Sequence, residues 1–249
     1  MLRNLQSPRV QLRRATPEDK ILQDLKYRVM LVCSLRGRYY CLNFGLPILI
    51  ASLFLALNFA AVVHAEVNGA IPSIGGRYFH RRVEIPVPAF AQDDPRWSEV
   101  RLGPSTDTLG DQGCAVTSAA MVAAFYRIKT DPQKMNAFLT RTGGLSGDGL
   151  IDWNQVSSIA PAHLKLAYNG GPSYELIDSN LLAGNPVIVL FPLPHGGYHF
   201  VVIVGKEGWD YLIRDPAASP FRRAYPVRDI TDRIAGLCFF ARHSPTNSR

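Results

Sequence analysis

The sequence predicts an α+β fold in which one buried helix packs on an antiparallel sheet. Residues 115–128 contain neither Gly nor Pro and are apolar on nearly every face, which is typical of a helix buried on all sides. Residues 186–240 contain short apolar segments separated by turns, which predicts consecutive strands. Because helices come first and strands follow, the two are expected to segregate, as in α+β folds.

Further helices and strands complete this framework. Asp131 followed by Pro132 predicts a helix start, because Asp caps helices and Pro suits their first position. Short helices are also expected over residues 150–160 and 174–182. The predicted strands cover residues 164–168, 186–191, 199–204, 211–214, 223–227 and 234–240.

The first third of the chain is basic and then strongly apolar. Residues 1–45 carry nine Lys or Arg against three Asp or Glu, which accounts for most of the formal net charge of +7. Residues 46–63 form an apolar run without a charge. A basic flank before such a run predicts a cytoplasmic N-terminus and an exported domain. The run is expected to be either a signal peptide cleaved after Ala65 or a membrane anchor, so the domain would be secreted, periplasmic or anchored.

The exported part is expected to form one domain. Residues 66–82 are rich in Gly and predict a linker, and residues 83–249 form the predicted domain, long enough for a core. Two prolines restrict residues 83–91 to an edge strand at most. Since the excess positive charge belongs to residues 1–45, nucleic acid is not an expected partner.

Cys114 is the first candidate for chemistry. At the start of the predicted helix it would meet free amide N–H groups and the positive end of the helix dipole, which together stabilise a thiolate. The alternative is a small buried hydrophobe, the usual environment of a free cysteine. Cys33 and Cys41 precede the apolar run, whereas Cys238 lies in a predicted buried strand. We therefore expect Cys114 and Cys238 to be free thiols, with Cys238 structural.

His199 and Asp215 are the expected partners of a nucleophilic thiol. His199 opens an apolar strand, and Asp215 follows the next one. Residues 206–208 fit a three-residue hairpin loop, which would pair His199 with Asp215 on one face, with Cβ atoms about 5 Å apart. A carboxylate there can orient the imidazole and stabilise its cation. Asp215 precedes a proline, so a turn residue is an alternative that is compatible with the first interpretation.

Two glutamines are candidates for stabilising an oxyanion. A glutamine amide upstream of the cysteine can join the Cys114 backbone N–H at the developing negative charge. Gln112 is close to Cys114 in sequence, and Gln92 is followed by a long loop that could bring it there. The sequence pattern alone leaves both open.

Five segments follow one another along the chain: QDDPRW (92–97), GCAVTSAAM (113–121), NPVIVLF (185–191), HFVVIVG (199–205) and YLIRDP (211–216). In this order they resemble the family 39-like cysteine peptidases, which are papain-like and related to bacteriocin-processing peptidases that cut after a double glycine. The resemblance implies a papain-like α+β fold, Cys114 as nucleophile, His199 as general base and Asp215 as its orienting residue. It also favours Gln92 as the oxyanion glutamine. The chain departs from the family at Ala115 and Val116, where Gly and Pro are usual.

The predicted function is an exported papain-like cysteine peptidase that hydrolyses a peptide or amide bond through an acyl-enzyme, with a peptide or protein substrate and no cofactor. Acyl transfer instead of hydrolysis stays open. One alternative is a cell-wall peptidase or amidase, whose sites more often use a second His. Another is a non-catalytic peptide-binding domain on the same scaffold. A metal site of His195, His199 and Asp215 is a further alternative, although the spacing matches no dedicated ligand motif.

Overall fold

A six-stranded antiparallel sheet organises the part of the chain that the structure, a computed structural model, describes: residues 69–194 and 196–242. The strands are β1 (Ile71–Pro72), β2 (Ile74–Glu84), β3 (Leu164–Gly170), β4 (Val187–Pro192), β5 (Tyr198–Arg214), β6 (Tyr225–Pro226), β7 (Arg233–Ile234) and β8 (Gly236–Arg242). The strand order in the main sheet is β2, β5, β4, β8 and β3, and β6 also pairs with β5. A separate two-stranded sheet joins β1 and β7.

The helices precede most of the strands along the chain, and the predicted α+β class with an antiparallel sheet is confirmed. The predicted helix over residues 150–160 is shorter than expected. The helix starting at Pro132 has the expected cap, Asp131, and the helix starting at Tyr174 is capped by Ser173. The helices are α1 (Leu109–Gln112), α2 (Cys114–Phe125), α3 (Pro132–Thr142), α4 (Trp153–Ser157) and α5 (Tyr174–Leu182), and a 3-10 turn covers Val227–Asp229.

Helix α2 is buried over its first ten residues and packs against β5. Its start is fixed by Gly113, where a Cβ would collide with the carbonyl oxygen of Leu109. Asp111 lies in the preceding helix α1, where it forms a capping box with Thr108. The helix also ends earlier than predicted, at Phe125, and Arg127 lies in the left-handed region with φ of 71°.

The predicted linker over residues 66–82 is wrong for its second half, because strand β2 begins at Ile74 and pairs with β5. Two features explain the strand, and neither is evident from the Gly-rich composition of this segment. Phe79 turns inward and is buried, and Gly76 lets the backbone approach Asp178, where a Cβ would collide with the carboxylate. Of the edge strand expected over residues 83–91, only residues 83 and 84 are in a strand, as the end of β2. The rest of this segment, which contains the two prolines, is irregular.

The predicted strands over residues 199–204 and 211–214 form one continuous element, β5. This element reverses direction near residues 206–208. An extended chain from His199 to Asp215 would span roughly 50 Å, yet their side chains are 2.7 Å apart. Gly208 has a φ of 60°, which fits the turn that was predicted here. Lys206 and Gly208 also pair with β2, so the reversal belongs to the sheet instead of forming a free loop.

The apolar run predicted as a signal peptide or anchor, residues 46–63, lies outside the described residues. Within residues 69–194 and 196–242, no helix is long and apolar enough to cross a bilayer.

A buried ionic cluster joins β2, α5 and β5. The Lys206 ammonium is fully buried and donates to Asp178 Oδ1 at 2.7 Å and to the Gly75 carbonyl at 2.7 Å. Tyr211 Oη donates to the same carboxylate oxygen at 2.9 Å, and the Arg77 N–H donates to the other. Burial lowers the pKa of Lys206, and the bond to Asp178 opposes this effect. Because both charges are satisfied only together, the cluster fixes how β2 is attached.

Asp178→Ala is expected to lower the free energy of unfolding by about 3–5 kcal/mol, because it leaves a buried ammonium without its carboxylate. Urea unfolding of the full chain measures this. The control is Lys134→Ala, which removes an exposed partner of Asp131 and is expected to cost at most about 1 kcal/mol. Equal losses in the two variants would contradict the account of the buried pair.

Candidate active site

Cys114 is the first residue of helix α2 and is 92% buried, since only 8% of its surface is exposed. It lies where two cavities meet. One, which we call the His199 cavity, has a volume of about 360 Å³ and is also lined by Gln92, His199 and Asp215. The other, the apolar cavity, has a volume of about 460 Å³ and is also lined by Ala115. Cys114 therefore lines both cavities.

The imidazole of His199 lies between a carboxylate and the thiol. His199 Nε2 and Asp215 Oδ1 are 2.7 Å apart, and both side chains are largely buried, with exposures of 12% and 8%. Cys114 lies close enough to the same imidazole to raise its pKa. Because Nε2 faces Asp215, the other ring nitrogen, Nδ1, is the one available to the thiol. The predicted hairpin required His199 and Asp215 to face each other, and the structure brings them into contact.

The pKa of His199 is raised to about 9. Burial by itself would lower it, but the interactions of the imidazole with Asp215 and with Cys114 outweigh that effect. The site is therefore built to hold the imidazolium.

Asp215 accepts further hydrogen bonds besides that of His199. The Ala217 N–H donates to Oδ1 at 2.8 Å and the Tyr225 hydroxyl donates to Oδ2 at 2.7 Å. Burial would raise the pKa of Asp215, but the bonds from His199 and Tyr225 hold it below its ordinary value. The carboxylate is thereby kept charged and fixed in orientation.

Tyr225 was not anticipated from the sequence. It lies in β6, which pairs with β5 next to Asp215, and burial followed by the bond to Asp215 raises its pKa. The Arg222 guanidinium lies over its ring, 3.4 Å from the centroid. The sequence offered only a short predicted strand here, and nothing in that pattern points a hydroxyl at Asp215.

Gln92 is buried and fixed from two sides. Its Nε2 donates to the Gly110 carbonyl at 2.8 Å, and its backbone N–H donates to the Pro216 carbonyl at 2.8 Å. Within the described residues, its Oε1 is buried without a hydrogen-bond partner. Gln112, the other candidate, is exposed at the end of α1 and lines both cavities. Both glutamines therefore border the thiol, but only Gln92 is immobilised by these contacts.

The remaining candidates lie elsewhere. Cys114 and Cys238 are both free, and Cys238 is buried in β8, where burial raises its pKa. His195 lies outside the described residues. Among the residues that are described, no three His, Cys, Asp or Glu side chains come close enough together to hold a metal ion.

Comparison with known proteins agrees with the resemblance of the sequence segments. The model of the Peptidase_C39 like family matches residues 84–234. Among solved structures, a crystal structure described as a C39-like peptidase from Bacillus anthracis is similar, with 17% identity, a TM-score of 0.41, and coverage of 64% of this chain and 97% of that one. No curated protein matches. Because the family match spans more than half of the 249 residues, the chain belongs to the Peptidase_C39 like family.

Proposed function

We propose that this protein is an exported, papain-like cysteine peptidase in which Cys114, His199 and Asp215 form the catalytic triad. The observation that carries the proposal is the position of His199, which contacts the thiol of Cys114 and the carboxylate of Asp215 at once. Family membership supports peptide-bond chemistry, and a peptide or protein is the proposed substrate. Export rests on residues 1–63, as derived from the sequence, and membrane anchoring stays a prediction.

The geometry supports a stepwise mechanism. In the proposed reactive state His199 already holds the proton given up by the Cys114 thiol, and the thiolate of this ion pair attacks the carbonyl carbon of the scissile bond. The imidazolium then gives its proton to the leaving amine, which departs and leaves an acyl-enzyme on Sγ. Water, deprotonated by His199, hydrolyses the thioester and restores the thiol. Asp215 stays ionised and stabilises the imidazolium throughout.

Two N–H donors are proposed for the oxyanion. The Cys114 backbone N–H belongs to the first turn of α2, where amides lack partners within the helix. Gln92 Nε2 carries two N–H groups, of which one is donated to Gly110. The second is available to the His199 cavity, which Gln92 lines. The fixed position of Gln92 favours it over the exposed Gln112, since a preorganised donor costs no reorganisation during reaction.

Iodoacetamide treatment of the full chain at neutral pH is expected to label Cys114 and leave Cys238 largely unmodified. The reason is that His199 accepts the thiol proton, whereas Cys238 is buried without such a partner. His199→Ala is expected to slow the labelling of Cys114 at least about tenfold. Peptide mass spectrometry of time points measures both cysteines, and Cys114→Ala is the control for site assignment. Equal labelling rates in wild type and His199→Ala would reject the thiol–imidazole pair and favour a non-catalytic binding domain.

Gln92→Ala is expected to lower the rate of hydrolysis of fluorescently labelled casein by about 100-fold and to leave iodoacetamide labelling of Cys114 unchanged. Alkylation creates no oxyanion, so its rate reports the reactivity of the thiol and is independent of oxyanion stabilisation. Gln112→Ala is the matched control and is expected to hydrolyse casein at nearly the wild-type rate. The reverse result, with Gln112→Ala inactive and Gln92→Ala active, would transfer the oxyanion role to Gln112.

A further inference from the structure

The apolar cavity beside Cys114 is large and has aromatic and aliphatic walls. Its volume of about 460 Å³ falls within the roughly 300–1,000 Å³ typical of ligand sites. Its walls include the rings of Trp153 and Phe200, whose centroids are 5.5 Å apart, and the side chain of Leu190. Leu150 and Tyr198 lie at its mouth and are 66% and 61% exposed. Exposed apolar side chains around a concave apolar surface are typical of binding sites.

The two cavities differ in whether they are lined by His199, the proposed proton donor. The leaving amine must accept a proton from His199, so it must depart through the cavity that His199 lines. The apolar cavity is lined by Cys114 and Ala115 but not by His199. The acyl part of the substrate, which stays bonded to Sγ, is therefore the part that can occupy the apolar cavity.

The charged side chains that line the apolar cavity, among the described residues, are the carboxylates of Asp107 and Asp148. Both residues are exposed. Each carboxylate has a serine hydroxyl beside it, from Ser105 and Ser146 respectively. The bond from Ser146 lowers the pKa of Asp148 and keeps it ionised. These two carboxylates would attract a positively charged group of a substrate and repel a negatively charged one.

We propose that the apolar cavity selects substrates in which the residue carrying the scissile carbonyl has a large apolar side chain and the residue before it is basic. This inference rests on the proposed function, because it assumes that Cys114 is the nucleophile. A glycine in this position would leave the apolar walls in contact with water, whereas Phe or Leu would cover them. Asp107 and Asp148 would pair with the neighbouring basic side chain, and this contribution weakens with salt because it is exposed.

The test uses the full chain and capped dipeptidyl chloromethyl ketones. Their ketone takes the place of the scissile carbonyl, and Sγ displaces chloride from the adjacent methylene carbon to form a thioether. The reagents are Arg-Phe, Arg-Gly and Glu-Phe. The Arg-Phe reagent is expected to label Cys114 about 10- to 100-fold faster than Arg-Gly, from burial of the ring. It is also expected to label several-fold faster than Glu-Phe. Rates are divided by that of iodoacetamide to remove differences in thiol reactivity.

Charge selection is tested with the double variant Asp107→Asn and Asp148→Asn, whose exposed positions make misfolding a minor risk. The ratio of Arg-Phe to Glu-Phe rates is expected to fall towards one in this variant and to stay unchanged in Asp232→Asn, a matched surface control. Equal rates for Arg-Phe and Arg-Gly with iodoacetamide-reactive Cys114 would overturn this inference and leave the proposed peptidase intact. Failure of iodoacetamide itself to label Cys114 would instead overturn the proposed function, and this inference with it.

Discussion

The hydrogen bond between His199 and Asp215 is the interaction on which the site depends. Both residues belong to the ends of the reversing segment formed by β5, so the bond exists only if the reversal brings the two ends into register. Helix α2 packs on the same strand and presents Cys114 to the imidazole. The Gln92 N–H bonds to the Pro216 carbonyl, one residue beyond Asp215, so the oxyanion candidate is attached to the same point. The proposed nucleophile, base and oxyanion donor are therefore positioned by one hairpin.

The two buried charged groups of this pair make the site sensitive to pH in opposite directions. The pKa of His199 is raised from 6.5 to about 9, so its positive charge stabilises the fold fully below pH 6.5 and this contribution disappears as the pH rises through about 9. The pKa of Asp215 is lowered from 3.8, so its contribution is present above that value and is lost as the pH falls through the lower pKa of the folded state. Both charges coexist at neutral pH, where the proposed chemistry needs them.

Local patterns in the sequence were sufficient for the helix and the hairpin but insufficient for contacts made by distant residues. Helix α2 follows from uninterrupted apolar residues, and the meeting of His199 with Asp215 follows from counting across one turn. The ion pair between Lys206 and Asp178 was not predicted. Lys206 lies in the predicted turn, and nothing in the local sequence indicates that β2 covers it and buries its side chain. Tyr225 was missed although it lies only 10 residues after Asp215, because the irregular connection between them gives no register to count across. Neither a partner far away in sequence nor an irregular connection leaves a periodic pattern.

An NMR titration of the full chain labelled at histidine shows whether Cys114 and Asp215 share the imidazole of His199. We expect His199 to keep its proton until the pH reaches about 9, because the carboxylate and the thiol both favour the cation. We expect a lower pKa for His199 in Cys114→Ala, since one of these two partners is gone. A His199 that titrates near 6.5 in wild type, or whose pKa is the same in Cys114→Ala, would contradict the shared imidazole.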